Sequence, residues 1–305
     1  MSLTTPQDGV RPAAAAKVTP QSLLAQKQSA AAISAVTAYD YPTARLADEA
    51  GIDVVLVGDS LGMAVLGHEN TLSVTIEDML HHARAVRRGT RRALLVVDMP
   101  YGSYHVSPEE TMRNALRLVK EGGAEAVKLE GGATRADTVR ALTMAEIPVV
   151  AHIGLTPQSL HRMGGYRVQG KDEEAAAQLR DDALALEDAG AIALVLEGIP
   201  RELALQITSL LKIPTIGIGA GPDCDGQILV FHDVFSLSFR KPAKFVRTFG
   251  DAASFIRNGL SAYREAVETR KFPSDQESYH FPATFSLERF GAEVVDGVEH
   301  TACVS

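Results

Sequence analysis

Five apolar runs in this chain of 305 residues end on side chains that can carry or exchange charge. Residues 53–57 lead through Gly58 to Asp59 and Ser60, the run at 93–97 to Asp98, the stretch at 126–130 carries Lys128 and ends on Glu130, the run at 147–151 leads to His152, and the run at 192–196 to Glu197. Each has an ordinary explanation when taken alone. An Asp after a strand commonly caps a helix or makes a turn, a lone His is usually a hydrogen-bonded core residue, and a Lys-x-Glu pair on one strand face forms an ion pair. The recurrence argues against those explanations, because burying charge without a partner is costly and here it is risked five times at equivalent places.

Gathered together, these residues describe a chemistry. Two aspartates with a glutamate nearby and no cysteine make a hard, oxygen-rich set, which suits Mg²⁺ better than Zn²⁺. A cation there polarises a carbonyl and stabilises an enolate, while Lys128 suits a substrate carboxylate. Glu197, well separated from the two aspartates in chain order, suits a general base. The set points to carbon–carbon chemistry beside a carbonyl.

The elements that must position these residues alternate in type. Strand expectations at 33–38, 53–57, 93–98, 126–130, 147–152, 192–197, 213–218 and 227–231 are separated by helical stretches near 42–50, 75–88, 108–121, 138–145, 173–189 and 201–211, with another helix before the first strand at 20–30. Start and stop signals support this spacing: Pro42 and Pro108 stand near helix starts, Gly51 and Gly190 just past helix ends, and Thr75 with Asp78 reads as a capping box. Eight strand–helix units predict a single-domain (β/α)₈ TIM barrel, a fold that collects its site where strands give way to the following loops. A doubly wound open sheet is the competing architecture, but no compositional break divides the chain into two halves. The expected organisation is a flexible arm over 1–17, the catalytic barrel over 18–272 and a tail over 273–305.

Composition narrows the partners. Lys and Arg number 30 against 38 Asp and Glu, giving a net charge of −8 that disfavours nucleic acid and anionic membrane as partners. No apolar run approaches the roughly 18 residues of a membrane span, and the first residues lack the apolar core of a signal peptide. The two cysteines, Cys224 and Cys303, make neither a disulfide framework nor a metal cluster, and a reducing cytoplasm fits them.

Longer motifs carry a family likeness. Residues 37–41 (TAYDY), 57–63 (VGDSLGM), 67–72 (GHENTL), 127–132 (VKLEGG), 152–159 (HIGLTPQS), 164–170 (GGYRVQG) and 216–221 (IGIGAG) together resemble ketopantoate hydroxymethyltransferase, also called 3-methyl-2-oxobutanoate hydroxymethyltransferase, over about residues 18–281. The resemblance implies a (β/α)₈ barrel that transfers a hydroxymethyl group from 5,10-methylenetetrahydrofolate to 3-methyl-2-oxobutanoate. The product is 2-dehydropantoate (ketopantoate), on the route to pantothenate and coenzyme A. It also implies roles: Asp59 and Asp98 as Mg²⁺ ligands, Glu130 as a further ligand directly or through water, Ser60 and Lys128 as contacts to the ketoacid carboxylate, and Glu197 as the base at C3. His152 is a site neighbour by this likeness. The family assembly it implies is a homodecamer of two pentameric rings.

The chain departs from the family core before Lys17, after Phe281 and across 236–242, which bears on oligomer contacts and folate access rather than on the chemistry. Three other readings remain open from residues alone. One is a metal-dependent lyase or aldolase of the phosphoenolpyruvate mutase and isocitrate lyase type, though neither Cys224 nor Cys303 has the loop context those enzymes use. Another is a class I aldolase with Lys128 as Schiff-base nucleophile, and the third is an inactive barrel kept as an assembly partner.

Overall fold

Strand alternation decides which of these side chains reach a common interior. In the computed structural model, which describes residues 16–282, the strands β1 (Ile33–Thr37), β2 (Val54–Val57), β3 (Leu94–Asp98), β4 (Ala126–Glu130), β5 (Val149–Gly154), β6 (Ala193–Glu197), β7 (Thr215–Ile218) and β8 (Gly226–Leu229) are all parallel. They close in chain order, β8 pairing with β1. The fold is a (β/α)₈ TIM barrel, as the alternation of elements predicts.

Side chains of period two divide the core into two sets. Ile33, Val54, Leu56, Leu94, Val96, Ala126, Val150, Ala193, Val195, Ile216 and Ile228 fill the barrel interior. The alternate residues, among them Val55, Val57, Leu95, Val97, Val127, Leu129, Ala151, Leu194 and Leu196, pack outward against Ala83, Leu118, Leu142, Leu186 and Ile207 of the surrounding helices. Burial on both faces explains why the strands read as unbroken apolar runs rather than as alternating ones. The parity that sends Val96 inward also sends Asp98 inward. It does the same for Lys128 and Glu130 after Ala126, for His152 after Val150, and for Glu197 after Val195.

Closure demands a small residue at the β8–β1 seam. A side chain at Gly226 would stand 2.5 Å from the Ile33 carbonyl oxygen, so only glycine lets the two strands approach. The helices obey their sequence signals: the Thr75 hydroxyl accepts from the Asp78 N–H while the Asp78 carboxylate accepts from the Thr75 N–H, and Asp40 and Ser107 cap the helices Tyr41–Glu49 and Pro108–Lys120.

Several boundaries differ from the expectations. β5 and β7 each begin two residues late, just after Pro148 and Pro214, since proline has no N–H to give to a ladder. The apolar run at 227–231 ends as a strand at Leu229, and Phe231–Val234 makes a helical turn instead. There the Phe231 N–H donates to the Thr37 hydroxyl at 3.0 Å, a contact that local sequence does not encode. The expected loop at 61–72 opens with the helical turn Leu61–Ala64, and the long helix Ala252–Glu268 has no counterpart among the expected elements.

The chain divides into two compact units at Ala252/Ala253. All eight strands lie in the first. The second carries nearly all of the helix Ala252–Glu268 and the short 3₁₀ turn Asp275–Glu277. Of the expected arm and tail, residues 1–15 and 283–305 lie outside the described residues. Lys17, at the end of the expected arm, is tied to the barrel: its ammonium donates to the Ala93 carbonyl and meets Glu125, both at 2.6 Å. No helix among the described residues is long and apolar enough to cross a membrane.

Candidate active site

Register brings the charged strand ends to one rim. Asp98 of β3 is paired with Lys128 of β4, Glu130 of β4 with His152 of β5, and Gly154 of β5 with Glu197 of β6. The rim is closed to water at its base: Asp59, Asp98, Lys128, Glu130 and His152 are each 5% exposed or less. Glu197 is more open, with 15% of its side chain exposed.

The cluster is wired by short contacts. Lys128 Nζ donates to Asp98 Oδ1 at 2.7 Å, and the Asp59 N–H donates to Asp98 Oδ2 at 3.0 Å. Gly58 leaves room beside the second contact. A Cβ there would lie 2.8 Å from Ser60 Oγ and 3.4 Å from Asp98 Oδ2, so glycine permits the turn to fold down onto the neighbouring strand. His152 lies between two carboxylates, Nδ1 at 3.5 Å from Glu130 Oε1 and Nε2 at 3.2 Å from Glu197 Oε2. Ser60, half-buried in the same turn as Asp59, shares a hydrogen bond of 2.8 Å with the Tyr39 hydroxyl.

Three side chains outside the sequence-based set complete the wiring. Gln158, buried in the loop after β5, donates from Nε2 to Asp59 Oδ2 at 2.8 Å and to the Met99 carbonyl at 3.0 Å. Its own backbone N–H donates to Glu130 Oε2 at 3.0 Å. Tyr104 donates its hydroxyl proton to Gln158 Oε1 and accepts from the Glu130 N–H at 3.2 Å. Tyr39 is the third. Gln158 falls within the 152–159 motif, yet nothing in its local sequence distinguishes a buried amide from a loop amide. Tyr39 falls within the 37–41 motif without a role that its local sequence marks, and Tyr104 carried no signal beyond lying in the loop after β3.

The electrostatics are those of crowded negative charge around one ammonium. Burial, then repulsion from Asp98 and Glu130, drives the Asp59 carboxyl well above the usual range. Burial also raises Asp98, even against the attraction of Lys128. Glu130 goes the other way: His152 and Lys128 outweigh its burial and lower it. Lys128 is held above the ordinary lysine value, because Asp98, Glu130 and Asp59 overcome the cost of its burial. His152 is opposed by burial and by Lys128, but Glu130 and Glu197 prevail and raise it to about 9.

Asp59, Asp98 and Glu130 are therefore the groups able to hold a hard cation. Their mutual repulsion is what such a charge relieves, and their donor atoms are all oxygen. Among the described residues no group of three or more His, Cys, Asp or Glu side chains is arranged to hold a metal ion as it stands, so the three carboxylates are candidates by donor type and not by a formed site. Beside the cluster a cavity of about 510 Å³ opens over the ends of β4 and β5, sharing Glu130 and Gln158 with it.

Comparison with known proteins gives a consistent picture. A family model described as ketopantoate hydroxymethyltransferase matches residues 17–275. The 3-methyl-2-oxobutanoate hydroxymethyltransferase of Koribacter versatilis is 61% identical over 266 residues, covering 87% of this chain and 90% of the relative. The protein of the same name from Geobacter sulfurreducens is 56% identical over 247 residues, covering 81% and 92%. Among solved structures, 2,3-dimethylmalate lyase, a member of the PEP mutase/isocitrate lyase superfamily, superposes with a TM-score of 0.51 at 22% identity, covering 88% of this chain and 92% of the lyase. At that identity the likeness speaks for the barrel alone.

Proposed function

This chain belongs to the ketopantoate hydroxymethyltransferase family, an enzyme family forming ketopantoate, and on that premise we propose how its own residues carry the transfer. The one-carbon donor is 5,10-methylenetetrahydrofolate and the acceptor 3-methyl-2-oxobutanoate. In this reading the acceptor lies over Asp98 and Lys128 with its carboxylate toward the Lys128 ammonium and the Ser60 hydroxyl. Asp59 and Asp98 hold a divalent cation, Mg²⁺ by preference, with Glu130 joining directly or through water. When bound, that ion supplies Lewis acidity that polarises the 2-oxo group and lowers the cost of charge developing as C3 loses its proton.

Glu197 takes that proton. It is the one carboxylate of the rim with part of its surface open, and its Oε2 stands beside the His152 imidazole rather than in the Asp59–Asp98–Glu130 group. His152 positions it: its imidazole stands between the two carboxylates, Nε2 at 3.2 Å from Glu197 Oε2 and Nδ1 at 3.5 Å from Glu130 Oε1, and fixes where Glu197 points. The observation that carries the proposal is the convergence of three buried carboxylates on one ammonium at the barrel rim, with a fourth carboxylate set apart by a histidine.

Two of the alternatives from sequence meet opposing observations, and the C3 exchange assay below decides the third, the inactive barrel. Lys128 is a buried ammonium paired with Asp98 and held above the usual lysine range, unsuited to attack a carbonyl as a free amine. Cys224 is partly buried and its thiol is raised by that burial, the opposite of an activated nucleophile. Cys303 lies outside the described residues. A cytoplasmic homodecamer is the proposed setting, by family likeness.

The test separates proton removal from transfer. Wild type should exchange the C3 proton of 3-methyl-2-oxobutanoate into deuterated water and form ketopantoate when methylenetetrahydrofolate is added, both reactions stopping with EDTA. Glu197→Gln should lose exchange by at least 100-fold, the scale of one general base. Full exchange in that variant would remove Glu197 from the role.

A further inference from the structure

Ser60 can hold the ketoacid carboxylate only as a hydrogen-bond donor, and its partner in the fold decides whether it is one. The 2.8 Å contact between Ser60 Oγ and the Tyr39 hydroxyl allows either oxygen to donate. If Ser60 gave its proton to Tyr39, its lone pairs would face an anionic carboxylate. If it accepts from Tyr39, its own proton is left for the carboxylate.

The surroundings of Tyr39 fix the direction. Tyr39 lies just past the end of β1, and the register of Thr37 with Leu56 carries it toward the turn that follows β2. Thr37, the last residue of β1, is 3% exposed, and its methyl would stand 3.7 Å from a Cβ on Gly58, so it packs against that same turn. Its hydroxyl accepts from the Phe231 N–H at 3.0 Å. A backbone N–H can only donate, which leaves Thr37 a proton to pass on, and the Tyr39 phenol hydrogen-bonds the hydroxyls of both Thr37 and Ser60. With one proton received from Thr37, the phenol gives its own to Ser60. Burial, with the Asp98 and Asp59 charges adding to it, raises the phenol above its ordinary range, so that proton stays in place.

Tyr39 is also held from behind. Its carbonyl accepts from His82 Nδ1 of the helix Ile76–Gly89 at 2.6 Å, and its ring centroid stands 5.5 Å from that of His232. We propose that Tyr39 is a positioning residue for the acceptor: a one-way chain of hydrogen bonds, from the Phe231 N–H through Thr37 and Tyr39, fixes Ser60 as a donor to the ketoacid carboxylate. The proposal rests on the seat of that carboxylate at Ser60 and Lys128 in the proposed function. It gives Tyr39 no contact with the reacting atoms, so losing its hydroxyl weakens ketoacid binding and leaves proton removal by Glu197 intact.

Tyr39→Phe keeps the ring and removes the hydroxyl. In C3 proton exchange without the one-carbon donor, its KM for 3-methyl-2-oxobutanoate should rise about fivefold with kcat within about twofold of wild type, the split expected of lost ground-state binding. Ser60→Ala should raise the same KM about tenfold, and Tyr39→Phe/Ser60→Ala should match Ser60→Ala alone, because Tyr39 acts only through the Ser60 hydroxyl. One link further back, Thr37→Val should raise KM about threefold and Thr37→Ser should leave it near wild type, since the chain needs the hydroxyl and not the methyl. A multiplicative loss in the double variant, or an unchanged KM in Tyr39→Phe beside a raised one in Ser60→Ala, would overturn the chain while the carboxylate seat stands. A fall in kcat as large as the rise in KM would overturn it too, as general distortion of the site. An unchanged KM in Ser60→Ala would remove the seat itself, and the chain with it.

Discussion

Replacing Gln158 by leucine removes a side chain whose whole hydrogen-bonding capacity is committed. Both protons of Nε2 are used, one on the Asp59 carboxylate at 2.8 Å and one on the Met99 carbonyl at 3.0 Å, and Oε1 receives the Tyr104 hydroxyl. A hydrogen bond to a charged group is worth about 1.5–3 kcal/mol and a neutral one about 0.5–1.5 kcal/mol. Leucine fills a similar volume, so the cavity contribution is small, and the sum for the three bonds comes to roughly 2.5–6 kcal/mol. Against a typical stability of about 5–15 kcal/mol, the variant folds but is measurably weaker. The backbone N–H of residue 158 still reaches Glu130, so that carboxylate stays oriented while Asp59 becomes free to turn. Loss of such a support behind a metal-binding carboxylate costs about 10–100-fold in metal affinity or activity. Urea unfolding of Gln158→Leu in EDTA, paired with the Mg²⁺ dependence of C3 exchange, measures both effects. A stability within 1 kcal/mol of wild type together with an activation constant within threefold would refute the reasoning. Tyr104→Phe should cost less, since it leaves Asp59 its donor, and the double variant should show non-additivity through the shared Gln158 contact.

Two further outcomes follow from the same cluster. Lys128→Met strands Asp98 as a buried carboxylate facing Asp59 and Glu130, and should lose about 3–5 kcal/mol in urea unfolding; adding Asp98→Asn should restore part of it, whereas strict additivity would show that the 2.7 Å pair contributes nothing as a pair. His152 makes stability depend on pH in EDTA-treated protein. Its folded pKa, about 9, lies above the unfolded value of about 6.5. The stabilisation is therefore complete below pH 6.5 and fades as pH rises to 9 and beyond, at about 1.4 kcal/mol per pKa unit or on the order of 3 kcal/mol in all. The difference in unfolding free energy between wild type and His152→Gln should shrink across that window; a constant difference from pH 6 to 10 would mean that folding leaves the His152 pKa unshifted.

Much of this protein is legible in its residues because a (β/α)₈ barrel writes local signals. The β strands are buried on both faces, so each appears as an apolar run, and the helix caps at Asp40, Thr75 and Ser107 stand where the chain must turn. Charge at the end of five such runs marks the rim, since parity and register carry Asp98, Lys128, Glu130, His152 and Glu197 inward without any long-range information beyond closure. What only the tertiary structure decided are contacts between residues distant in sequence. Gln158 reaches Asp59 across 99 positions, Tyr104 reaches Gln158 across 54, and the Phe231 N–H finds Thr37 across 194. An amide or phenol in a loop has the same local sequence whether it faces water or a buried carboxylate. Its role depends on which groups the closed barrel leaves unsatisfied, and that is settled by packing, where an unpaired polar atom is most costly.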